Sequence, residues 1–100
     1  MKKILLACNQ GMSTSFLVEK MKQYASANDI EVEIWAVSDS EIQEDWENAD
    51  VILLGPQVGY LKNNTEKITN YEVPIAVIDP IDYGRVNGEA VLNKALKLIG

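Results

Sequence analysis

Three short apolar runs without alternation, Ile4-Leu5-Leu6-Ala7, Val51-Ile52-Leu53-Leu54 and Ile75-Ala76-Val77-Ile78, constrain the fold of this chain more than any other feature. A strand that is apolar on both faces needs cover on both faces, which the crossover helices of a parallel sheet supply. Glu31 to Val37 alternates instead, with Val32, Ile34 and Ala36 on one side and Glu31, Glu33 and Trp35 on the other, and so reads as a half-exposed edge strand. Stretches of helical periodicity separate the four strands. The expected fold is one α/β domain over residues 1–100, a doubly wound four-stranded parallel sheet of order 2-1-3-4 with helices on both faces.

The helices follow from the positions of their apolar residues. Leu17, Val18, Met21, Tyr24 and Ala25 recur at helical spacing, which predicts a helix from about Ser13 to about Ala27. Phe16, near its start, is expected to pack inside, and Met12 either packs or faces a docking partner. Ser38 and Glu41 have the spacing of a capping box, so a short helix should follow with Ile42 and Trp46 one turn apart. Asp39, Glu41, Glu44, Asp45, Glu47 and Asp50 crowd this region and read as a solvated helix face rather than a metal site. A third helix is expected over 60–69 with Tyr60, Leu61, Asn64 and Ile68 along one side. Val73-Pro74 opens the last strand, and Asp79 to Gly84 forms a loop after it, with Asp79 read as a cap or turn former. The last helix, starting around Asn87-Gly88-Glu89, should bury Val91, Leu92, Ala95, Leu96 and Ile99.

Composition removes several functions. The single cysteine, Cys8, cannot form an internal disulfide, and the absence of histidine takes away the commonest metal ligand and general base. No metal or cofactor is expected. The net charge of −6 offers no basic surface for nucleic acid or anionic lipid, so the partners should be proteins. No apolar run is long enough to span a membrane or to act as a signal peptide, which points to the cytoplasm.

The chemistry concentrates where the first strand hands over to a helix, in Cys8-Asn9-Gln10-Gly11-Met12-Ser13-Thr14-Ser15. In a sheet of order 2-1-3-4 this turn lies at the point where the winding reverses, and ligands of open α/β sheets bind there. Backbone amides from about Gln10 to Ser15, the hydroxyls of Ser13, Thr14 and Ser15, and the positive end of the helix would form a cradle for an anion. Gly11 would permit the curvature. A thiol so placed should ionise below its ordinary pKa of about 8.5 and act as a nucleophile. Tyrosine phosphatases carry an arginine six positions after such a cysteine. Here that position is Thr14, and the only arginine of the chain is Arg85. Without that cation hydrolysis should be slow, so a phosphocysteine could be passed on. The alternatives are a low-molecular-weight tyrosine-phosphatase-like hydrolase and a flavodoxin-like module holding a nucleotide phosphate. A redox role lacks a second cysteine.

Cys8 with Gly11-Met12-Ser13-Thr14-Ser15, Leu53-Leu54-Gly55-Pro56-Gln57-Val58 with Tyr60, and Ile78-Asp79 with Tyr83-Gly84 and Gly88 resemble the IIB components of the lactose/cellobiose (chitobiose) class. These belong to the bacterial phosphoenolpyruvate-dependent sugar phosphotransferase system. The resemblance spans essentially the whole chain, departing at Asn9-Gln10, where the family often has small residues. It implies that Cys8 accepts a phosphoryl group from a phosphohistidine of a IIA protein. The group would then go to a disaccharide or small oligosaccharide, cellobiose-like, entering through the membrane component IIC. It further implies a four-stranded parallel sheet and contact with the membrane only through IIC; nothing in the sequence reads as an obligate oligomer seam, so a monomer is expected. Met12, Pro56, Gln57, Val58, Tyr60 and Tyr83 would serve partner docking, with Gln57 able to hydrogen-bond near the phosphoryl and Tyr83 at the rim of the crevice.

Overall fold

The computed structural model describes residues 1–9 and 11–100, with the side chains of residues 11–13 outside that description. Strand β1 (Lys2–Cys8) leads into helix α1 (Gly11–Ala27) and the chain returns as β2 (Val32–Ser38). A helical segment follows, made of a 3-10 turn at Asp39–Glu41, α2 (Ile42–Asp45) and a second 3-10 turn at Trp46–Asn48. Strand β3 (Val51–Leu54) continues through a 3-10 stretch at Pro56–Leu61 into α3 (Lys62–Ile68). Strand β4 (Ile75–Val77), a one-turn helix α4 (Pro80–Gly84) and α5 (Gly88–Ile99) complete the chain.

All four strands are parallel and lie in the order β2-β1-β3-β4, as the apolar runs demand. Within each interior strand, successive side chains enter opposite cores. Ile4, Leu6, Val51 and Leu53 face Leu17, Met21, Val91 and Leu92, so α1 and α5 cover one side. Leu5, Ala7, Ile52 and Leu54 meet Ile42 and Val58 on the other side, under the segments that follow β2 and β3. Each fully buried leucine or isoleucine in these layers contributes roughly 1.5–3 kcal/mol of transfer free energy. Two cores of this kind fix the sheet between its helices and hold the carboxyl ends of β1 and β3 side by side.

The strands start and stop within a residue or two of their expected positions, but several surfaces differ. Phe16 is 65 % exposed rather than packed inside. It lies about 100° round the helix from Leu17, on the side away from Val18, so the buried arc excludes it. Trp35 is half-buried against the second core together with Val37 and Trp46, whereas Ala36 is exposed. The bulk of the indole covers the core where the alternation assigned that face to Glu31 and Glu33.

The third helix also turns a different face inward. Its approach begins at Pro56, and Tyr60 and Asn64 are exposed while Thr65 and Thr69 are buried. The two threonines are accommodated because their hydroxyls donate to helix carbonyls, Thr65 to Leu61 at 2.8 Å and Thr69 to Glu66 at 3.1 Å. The stretch after β4, expected as a loop, contains α4. Asp79 caps it, its Oδ1 accepting from the backbone N–H of Ile81 at 2.8 Å and of Asp82 at 3.3 Å. The structural role expected for Asp79 is the one it plays here.

The Ser38–Glu41 pair closes as its spacing indicates. One carboxylate oxygen of Glu41 accepts from the Ser38 backbone N–H at 3.1 Å and from its hydroxyl at 3.0 Å. Among the other carboxylates of this region, Asp50 accepts from the Lys3 backbone N–H at 2.8 Å, and its own N–H donates to the Lys3 carbonyl at 2.8 Å. That exchange fixes the start of β3 against β1. Among the described residues no cluster of three or more acidic or cysteine side chains could hold a metal ion.

Candidate functional site

Cys8 ends β1 and lies opposite Ser38 in the register with β2. As an even-numbered position of the strand it points to the same side as Ile4 and Leu6, toward α1. Helix α1 begins at Gly11, two residues earlier than its periodicity indicated. Gly11 to Ser15 therefore belong to the first turns of the helix. Gln10 and the side chains of Gly11, Met12 and Ser13 lie outside the described residues, so the amide cradle and the docking role of Met12 expected from them are not part of this description.

The Cys8 side chain is 3 % exposed and is surrounded by polar atoms from three different parts of the chain. Its Sγ stands 3.7 Å from Asn9 Oδ1, 3.6 Å from Gln57 Oε1 and 3.6 Å from the Tyr83 hydroxyl. Gln57 is delivered by the turn after β3, and Tyr83 by α4 after β4. The parallel sheet brings these two expected residues to the sulfur, although they are 49 and 75 positions away in sequence. Gly55 comes equally close, since a Cβ placed on it would stand 3.1 Å from Sγ. A side chain at this position would press on the thiol and on the Gln57 amide. Thr14, almost fully buried, places its Oγ1 3.2 Å from the Tyr83 hydroxyl.

A cavity of about 290 Å³ opens beside the sulfur and is lined by Cys8, Thr14, Ser15, Val37, Ser38 and Glu41, with Ala36 at its edge. Among the described residues no lysine or arginine lines it. Arg85 is exposed at the C-terminal end of α4. Ser38 and Glu41 were not among the site residues expected from the sequence. The rule that ligands gather at strand carboxyl ends could have found them, because Ser38 ends the strand adjacent to β1. The Glu41 carboxyl is held below its ordinary pKa, mainly by the hydrogen bond from the Ser38 backbone N–H and further by that from the Ser38 hydroxyl. It remains an anion at neutral pH.

The other residues expected to dock partners divide by exposure. Tyr60 is 79 % exposed and Gln57 is exposed, but Val58 is fully buried in the second core and Pro56 is half-buried at the start of its 3-10 turn. Val58 thus supports the turn from inside. Two exposed apolar residues that sequence reasoning did not assign, Phe16 and Ile81, stand on segments that leave the carboxyl ends of β1 and β4. Tyr60 stands on the corresponding segment after β3. Large exposed apolar side chains on the segments that leave this end of the sheet are of the kind that proteins bury on meeting a partner.

Comparison with known proteins agrees with this arrangement. The family model described as PTS system, Lactose/Cellobiose specific IIB subunit matches residues 3–94. The chain is 47 % identical over 100 residues to the oligo-beta-mannoside-specific EIIB component of Bacillus subtilis strain 168, covering 99 % of this chain and 97 % of that protein. The solution structure of the cellobiose-specific phosphotransferase IIB component from Borrelia burgdorferi superposes with a TM-score of 0.82 at 40 % identity, over 98 % of this chain and 91 % of that one. The lactose-specific IIB domain from Streptococcus pneumoniae shares the fold, with a TM-score of 0.87 at 16 % identity over 97 % and 96 % of the two chains. The chain belongs to the lactose/cellobiose-specific IIB subunits of the sugar phosphotransferase system and is a phosphotransferase component of that system.

Proposed function

We propose that Cys8 is the phosphoryl-accepting residue, taking the group from a phosphohistidine of a phosphorylated IIA protein and passing it to a sugar presented by the membrane component IIC. The observation that carries this reading is the position of Sγ. It lies at the carboxyl end of a central strand, just ahead of α1, among hydrogen-bonding groups and with no lysine or arginine lining its cavity among the described residues. In the first transfer the sulfur attacks phosphorus, the P–N bond breaks and a P–S bond forms, and the thiol proton passes to the imidazole. In the second a sugar hydroxyl attacks phosphorus, the P–S bond breaks, and the hydroxyl proton returns to sulfur. Residues Asn9 to Ser15 hold the phosphoryl oxygens, chiefly through backbone N–H groups and the N-terminal end of α1. An arginine at position 14 would favour attack by water; the threonine there favours storage and transfer.

The sugar is a β-linked disaccharide or small oligosaccharide, in keeping with the oligo-beta-mannoside and cellobiose systems of the relatives. Phe16, Tyr60, Ile81 and Gln57 form the face that meets IIA and IIC in turn, each time with one copy of this chain, and Met12, whose side chain lies outside the described residues, is assigned to the same docking from the sequence. No helix among the described residues is long and apolar enough to cross a membrane. The protein works in the cytoplasm and reaches the membrane through IIC.

The test is phosphorylation by the cognate phosphorylated IIA. The protein should gain about 80 Da on Cys8, and the label should be discharged by IIC-containing membranes and sugar. Cys8→Ser should lose both the label and sugar phosphorylation. Full sugar phosphorylation by Cys8→Ser would overturn the assignment.

A further inference from the structure

Resting on the reading of Cys8 as phosphoryl acceptor, we infer that the Tyr83 hydroxyl, held in place by Thr14, is the side-chain hydrogen-bond donor to the Cys8 sulfur and to a phosphoryl group carried on it. Among the described residues, the side chains of Asn9, Gln57 and Tyr83 approach Sγ, and they differ in what they present to it. As oriented here, Gln57 and Asn9 turn their amide oxygens to Sγ at 3.6 and 3.7 Å, where they accept from the thiol, and each must rotate its amide before it can donate to a thiolate or a phosphoryl oxygen. Tyr83 presents a hydroxyl at 3.6 Å, which can donate to either.

The second contact of that hydroxyl gives it direction. Thr14 Oγ1 lies 3.2 Å away and comes from the buried side of the first turns of α1. When the Thr14 hydroxyl donates to the tyrosine oxygen, the phenolic hydrogen can donate to the sulfur. Thr14 occupies the position at which tyrosine phosphatases place their arginine. In this chain that position therefore holds a neutral relay, threonine to tyrosine to sulfur, rather than a cation. A neutral donor steadies a phosphoryl group through one hydrogen bond without the charge that a hydrolytic transition state needs. Tyr83 is positioned by α4, whose first turn depends on the Asp79 cap, and its main-chain N–H donates to the Asp79 carbonyl at 2.9 Å.

Two measurements on wild type, Tyr83→Phe and Thr14→Val decide this. The first is the pH dependence of Cys8 alkylation by iodoacetamide, which needs neither a partner nor a phosphoryl group. Tyr83→Phe should raise the midpoint by about half to one pH unit, and Thr14→Val should raise it less. A residue that only filled space would leave that midpoint in place once circular dichroism shows both variants folded. The second is the equilibrium fraction of Cys8 phosphorylated against an excess of phosphorylated IIA, read by intact mass. Tyr83→Phe should shift that equilibrium about three- to tenfold away from phosphocysteine. A folded Tyr83→Phe with the wild-type midpoint and the wild-type equilibrium overturns the inference. If wild type itself takes no phosphoryl group on Cys8, the carrier reading fails, and the alkylation midpoint alone decides whether Tyr83 donates to the sulfur.

Discussion

Gly88 lies so close to the backbone of Lys20 that a Cβ placed on it would stand 2.5 Å from the Lys20 carbonyl carbon and 2.8 Å from its oxygen. The contact joins the start of α5 to the middle of α1, the two helices that cover the side of the sheet from which Cys8 projects. A methyl group there cannot be absorbed by a rotamer change, because its neighbour is main chain. Gly88→Ala should push the helices apart and destabilise the fold by about 1–3 kcal/mol. In urea the unfolding midpoint should fall with the slope unchanged; an unaltered midpoint would show that α5 shifts freely on α1.

Tyr71 offers the opposite effect. It follows Asn70 in a second consecutive left-handed conformation, with φ of 59°, and its side chain is 70 % exposed. The turn closes α3 through a hydrogen bond from the Tyr71 N–H to the Glu66 carbonyl at 2.9 Å, which any residue can make. A non-glycine residue in this region costs about 1–2 kcal/mol, and glycine gives back part of that in unfolded-chain entropy. Tyr71→Gly should therefore stabilise the protein by roughly 0.5–1 kcal/mol. Thermal unfolding would show the gain, and a loss of stability would mean that the exposed ring contributes packing.

These two glycine and tyrosine positions illustrate what the sequence does and does not disclose. The sheet was legible because the apolar runs of β1 and β3 admit only strands covered on both sides, and the alternation of β2 admits only an edge. The site's place was legible for the same reason, as Cys8 follows a central strand. Other features depended on partners distant in sequence. Nothing in the chain places Gly88 beside Lys20 before the helices are docked, and the reading that put Tyr83 at the rim of the crevice did not give its contact with the sulfur. Phe16 was misplaced because its hydrophobicity was weighed above its position on the helix, and Trp35 because its place in the alternation was weighed above its bulk. The helix after Asp79 could have been found, since an aspartate followed by proline is a regular N-cap and first position.

Glu41 predicts a pH dependence with a definite sign. Its carboxyl titrates below 4.5 in the folded protein, mainly because it accepts from the Ser38 backbone N–H. A depressed carboxyl pKa stabilises the native state above the unfolded value, and that contribution disappears as pH falls through the folded value. The loss attributable to Glu41 thus falls below pH 4.5. Glu41→Gln keeps an oxygen for the Ser38 N–H but cannot titrate. Denaturation midpoints taken from about pH 6 to about pH 3 should decline less steeply for Glu41→Gln than for wild type. Parallel profiles would assign the acid sensitivity to other carboxyl groups.

Gly55 tests how closely the turn after β3 must approach the thiol. A Cβ there would stand 3.1 Å from Cys8 Sγ and 3.1 Å from Gln57 Oε1, so in Gly55→Ala the sulfur or the amide must give way by a few tenths of an ångström. Gly55 has φ −59°, a conformation open to alanine, so backbone strain does not arise. The change should therefore cost little stability and act on the thiol itself. Displacing a nucleophile by this amount should slow phosphoryl uptake from phosphorylated IIA about three- to tenfold. Alkylation of Cys8 by iodoacetamide should slow as well, since the new methyl group stands beside Sγ. A variant with wild-type unfolding and wild-type uptake would show that the site tolerates a side chain at this contact, and that the glycine serves only the turn.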